Sequence, residues 1–102
     1  MKTSKSTDAI AARRDMWERW TKACIFLDDL GKPAWKRTAD AMQAFGGLKL
    51  TPLSPRDREC LETMLLQIND VTAGYPIETW EDYQKIAAAD LSQIGQLIRT
   101  LF

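Results

Sequence analysis

The chain contains no histidine. That one absence removes serine or cysteine nucleophiles activated by an imidazole, the histidine-bearing zinc sites, and the usual general base near neutral pH. Cysteine is scarce as well. Cys24 and Cys60 lie far apart, form no C-x-x-C, and each falls among apolar neighbours at helical spacing. Such thiols read as buried and reduced rather than as metal ligands or a disulfide. Long apolar runs are also missing: the longest, Ala23 to Leu27, is far short of a membrane span, and the opening MKTSKSTDAI has no stretch that could serve as a secretory leader. A cytoplasmic protein without membrane contact or disulfide is the expectation. Finally there is no net charge, 14 Lys and Arg balancing 14 Asp and Glu, which argues against a dedicated binder of nucleic acid or anionic membrane.

The motifs of common chemistry are lacking in the same way. There is no G-x-x-x-x-G-K-[ST], and Gly46-Gly47 alone is only a flexible joint. No run alternates oxygen ligands around a central glycine as a calcium loop does. Adjacent carboxylates occur at Asp28-Asp29 and Glu81-Asp82, but both pairs fall at predicted helix ends, where Glu81 and Asp82 have a capping and dipole role. The chain therefore reads as non-enzymatic, with no catalytic residue, no metal and no cofactor.

What is present is architecture. A length of 102 residues, 45% hydrophobic and 27% charged, suits one helical domain over 1–102, with 1–7 as a flexible N-terminus. Breaks at Gly31-Lys32-Pro33, Gly46 to Ser54 and Gly74-Tyr75-Pro76 divide it into four helical stretches. Gly31 suits a left-handed position after a helix and Pro33 the first turn of the next. Ser54-Pro55-Arg56-Asp57 and Thr79-Trp80-Glu81-Asp82 each place a capping hydroxyl three residues before an acid. Leu48 to Leu53 and Tyr75 to Ile77 resemble strands, but Pro52 and Pro76 and the lack of partners make them loops that pack an apolar side chain.

On a helical wheel the first stretch, near Asp8 to Leu30, turns inward Met16, Trp17, Trp20, Ala23, Cys24, Leu27 and Leu30. The second, near Pro33 to Phe45, turns inward Trp35, Ala39, Met42 and Phe45, with Lys36, Arg37, Asp40 and Gln43 opposite. The third, near Pro55 to Thr72, gathers Cys60, Leu61, Met64, Leu65, Ile68 and Val71. The fourth runs from Trp80 to the end, and its Ala87, Leu91, Ile94, Ile98 and Leu101 follow coiled-coil spacing. The fold class is all-α: a compact bundle or irregular array of four main helices without a sheet. Four tryptophans in 102 residues also suit binding hot spots, but all four fall on or near apolar arcs and are expected in the core.

Residues that break these patterns carry the functional expectation. Arg13 and Asp90 fall on apolar arcs: Arg13 is expected to snorkel near a frayed helix start while Asp90 meets a Trp or Tyr donor, the sharper alternatives being a mutual ion pair that fixes the docking of the first and last helices, or an Asp90 that faces a partner. Ile25, Phe26 and Leu66 depart from their helices' buried faces, and Leu97, Leu101 and Phe102 close the chain where helices fray. These six residues are the expected protein-binding set. Charge is uneven: residues 1–53 carry +4 and residues 54–102 carry −4, an arrangement that steers charged partners or pairs copies head to tail. The expected function is a small regulatory protein, such as an antiactivator or inhibitor occupying the surface of a transcription factor, acting as a homodimer. The alternative is a helix-turn-helix-like DNA-binding regulator using Lys36 and Arg37 of the second helix.

Overall fold

Ser54 and Pro55 start a helix by simple chemistry. The Ser54 hydroxyl accepts a hydrogen bond from the Asp57 N–H at 3.3 Å, and Pro55 fills a first-turn position that needs no donor. The computed structural model describes residues 2–102, with side chains from Asp8 onward; the flexible segment expected over 1–7 lies outside the fully described residues. It contains α1 (Lys2–Leu27), α2 (Ala34–Gln43), α3 (Pro55–Thr72), a 3-10 turn (Trp80–Lys85) and α4 (Ala88–Arg99), with no strand among the described residues. The chain is all-α with four main helices, as its periodicity predicts. No described helix is long and apolar enough to cross a membrane.

The shortest of the four sits in the middle. Thr38, Ala39, Asp40 and Ala41 of α2 are buried in succession, and α1, α4 and the 3-10 turn all pack against this helix, while α3 packs on α4. Small side chains permit that close approach from several directions. Around them the core takes Met16, Ala23 and Leu27 from α1, Leu61, Met64 and Ile68 from α3, and Ile94 and Ile98 from α4. Each fully buried aliphatic chain contributes about 1.5–3 kcal/mol. The two strand-like stretches are loops: Leu53 is buried, and Leu48, Leu50, Tyr75 and Ile77 pack against the core. Arg58 pins the longer loop by donating to the carbonyls of Leu50 (3.3 Å), Thr51 (3.0 Å) and Leu53 (3.1 Å).

Several expectations are corrected. The fourth stretch is two elements, because Ile86 and Ala87 are extended. Tyr75 bridges the junction: its hydroxyl accepts from the Ala87 N–H at 3.2 Å and donates to Asp90 at 2.5 Å, capping α4 from outside. Arg13 and Asp90 do not pair with each other. Arg13 reaches Asp57 of α3 at 3.6 Å, while Asp90, in the first turn of α4, takes the tyrosine donor and complements the helix dipole. Gly31 is not left-handed. Its N–H instead bonds the Asp29 carboxylate at 3.2 Å, and the positive-φ residue is Gly47, at +79° in the next loop. Leu30 lies beyond the end of α1 and is exposed, and Asp40, assigned to an outward face, is buried.

Candidate protein-binding surface

α1 presents different chemistry on its two sides. Asp8, Ala11, Ala12 and Asp15 face the 47–52 segment across a shallow groove. At 100° per residue this turns Ile10, Arg14 and Trp17 to the far side. Ile10 is 64% exposed and Trp17 38% exposed, two turns apart on that side. The end of the chain joins them: the Phe102 ring stacks on Trp17 with centroids 4.5 Å apart and planes 11° apart, and meets Trp20 edge-on at 5.4 Å. Trp20 meets Trp17 edge-on in turn, at 5.2 Å, and its indole N–H donates to the Ile98 carbonyl at 2.8 Å. The result is an aromatic cluster anchored through Trp20, with Phe102 still 43% exposed.

Of the six residues expected to bind protein, Phe102 belongs to this cluster, and Leu97 and Leu101 lean half-buried against the core. Ile25 and Leu66 are each 64% exposed, but they stand on α1 and α3, which do not pack along one another. Phe26 is half-buried, with the Lys32 ammonium 5.9 Å from its ring centroid. The structure thus supports exposure for Ile25, Leu66 and Phe102 without gathering the set into one patch. Ile10 and Trp17 were missed. The seven-residue spacing of Ile10 and Trp17 was a readable signal, whereas the return of Phe102 onto Trp17 was not.

The tryptophans are less buried than their arcs suggest. Trp20 and Trp35 are half-buried and Trp17 and Trp80 exposed. Trp80, 44% exposed, lies 5.7 Å from the Tyr83 ring at the edge of a groove of about 620 Å³ between the ends of α2 and α3 and the 3-10 turn. Met42, Ile68, Ile77 and Tyr83 supply its apolar lining, and its charged lining groups are Glu78 and Glu81.

A second groove, of about 690 Å³ between α1 and α2, is lined by charges most of which are paired with one another. Arg19 bonds Asp15 at 2.9 Å and donates to the Ala44 and Gly46 carbonyls, so it closes the end of α2. Asp40 binds Lys36 at 3.0 Å and Lys32 at 3.3 Å; burial pushes its carboxyl upward, but the two ammonium groups outweigh this and hold it below the ordinary 3.8. Lys36 is thereby committed to α2 itself, and Arg37 lies half-buried near α4 in a third groove.

The carboxylate pairs divide their work. Asp28 takes Arg99 at 2.7 Å and Asp29 turns to Gly31, while Asp82 accepts from the Glu78 and Thr79 N–H groups at 2.8 and 2.9 Å. Those two backbone donors, and then Lys85, hold the Asp82 carboxyl down to about 2. Cys24 and Cys60 are free and half-buried rather than fully buried, and desolvation pushes the Cys24 thiol up despite the opposing Arg99 charge. No protein-family model, curated protein or solved structure matches the chain, so the chemistry of this surface is what speaks to its use.

Proposed function

We propose that the chain is a small non-enzymatic regulatory protein that covers part of another protein's surface, as an antiactivator or inhibitor of a transcription factor would, and that it also pairs with itself as a homodimer. The observation that carries this reading is the half-exposed Trp17–Phe102 stack, with Ile10 exposed two turns earlier on the same side of α1. Interface centres favour large aromatic side chains held rigid before contact, since little rotamer freedom is then lost on binding. Trp20 provides that rigidity through its bond to Ile98. Arg13 and Arg14 interleave with the apolar groups and give the surface a basic rim. The DNA-binding alternative draws no support from Lys36 and Arg37, for the reasons given by their contacts.

The test is capture of cellular partners by the wild-type chain and by an Ile10→Glu, Trp17→Gln double variant. Ile10 is exposed and Trp17 lies outside the buried core, so the helical spectrum is expected to persist. Capture is expected to fall at least about tenfold, the loss a hot-spot residue typically brings. A folded double variant that binds as well as wild type overturns the assignment of this surface; Leu66→Glu then tests α3.

A further inference from the structure

We propose that the Trp80 groove receives the Ile10–Trp17 face of α1 from a second copy, each chain giving its helix and offering its groove in a reciprocal dimer. This rests on the reading of the Trp17 face as a contact surface and names what covers it. The first argument is charge. The groove's only charged lining groups are Glu78 and Glu81, which form no ion pair among the described residues. The α1 face carries Arg14, also without an ion pair among the described residues, and Arg13, whose contact with Asp57 leaves its side chain 59% exposed.

The second argument is shape. The groove is apolar at its base through Met42, Ile77 and Tyr83 and has Trp80 on its rim, so it suits an amphipathic helix that sets apolar side chains between cations. An arginine beside the exposed indole also gains a cation–π contact. The third argument is reach. The 3-10 turn that carries Trp80, Glu78's neighbour in the rim, packs on α2 and makes no extended contact with α1, so a chain's own helix does not lie over its own groove. One contact of about two helical turns covers less than the ~800 Å² per partner of a standard interface. Reciprocal pairing doubles the area and closes the assembly at two. Self-association and capture of another protein then compete for Trp17.

The test uses charge exchange on the full chain, read by light scattering on a sizing column. Wild type is expected to shift from one chain to two as concentration rises, with Kd increasing several-fold between about 0.05 and 0.5 M salt as exposed charges are screened. Arg14→Glu alone sets acid against acid, and Glu78→Lys with Glu81→Lys sets base against base. Each is expected to raise Kd at least tenfold. An equimolar mixture of the two variants restores both contacts and is expected to return to the dimer. Glu78→Lys alone, outside the 3-10 turn, gives the same direction if Glu81→Lys weakens that turn. A wild-type chain that stays single, or a dimer indifferent to these changes, overturns the pairing. The regulatory reading fails separately, through partner capture that ignores Ile10 and Trp17.

Discussion

Asp40 is gripped from two elements: Lys36 one turn earlier in α2, and Lys32 in the corner that precedes the helix. The i,i+4 partner is legible in the sequence, but the second lysine is not, because it depends on how the chain turns at residues 28–33. That closure is what makes burial of the carboxylate tolerable. Asp40→Asn removes the charge that holds both ammonium groups and is expected to cost about 1–2 kcal/mol at neutral pH. Thermal melts check this, since 1 kcal/mol moves the midpoint by roughly 4–8 °C in a domain of this size. The pH dependence has a definite sign. The folded carboxyl titrates below its ordinary 3.8, so its contribution is fully present above that value and is lost as pH falls through the lower folded value. Wild type should therefore lose more stability than Asp40→Asn on acidification below 3.8.

Helix starts were readable wherever the capping group is a neighbour in sequence, as Ser54 is to Asp57 and Asp82 is to Thr79. The break before α4 was not readable, because Tyr75 caps it from 12 residues upstream in the chain. A pattern of apolar positions continues across Ile86 and Ala87 without registering the extended backbone there. The same limit hid the second tie on the loop before α3: its apolar packing was readable, but the hold of Arg58 on three of its carbonyls was not. Lys49 in that loop is exposed and supplies a probe. Arg58→Ala leaves the α3 cap in place and should speed trypsin cleavage after Lys49 by about tenfold, which corresponds to ~1.4 kcal/mol of local opening. Unchanged cleavage would mean that the apolar anchors Leu48, Leu50 and Leu53 hold the loop without the arginine.

Four small or polar residues in a row put α2 at the centre, and a wheel that sorts positions into one buried face and one wet face has no place for such a helix. The fold class followed from periodicity alone, but which helix the others surround did not. The candidate surface was legible only in part for a related reason: Ile25 and Leu66 announce themselves as apolar groups on polar faces, while the Trp17–Phe102 stack joins residues at opposite ends of the chain. The whole molecule measures 49 × 27 × 22 Å with a radius of gyration of 14.6 Å, above the about 13 Å of a rounded domain of 100 residues. The 26-residue α1 accounts for that length. Small-angle scattering on dilute protein in high salt should return a radius near this value with the mass of one chain; a larger radius at that mass would mean α1 has come away from α2.

The exposure of Trp17 and Trp80 also has an optical consequence. An indole in water emits at longer wavelength than one shielded by protein, and these two belong to elements that do not pack along one another. Wild-type emission is therefore expected to be red-shifted when dilute and to move to the blue as the contact covers both indoles, so that association can be followed without a dye.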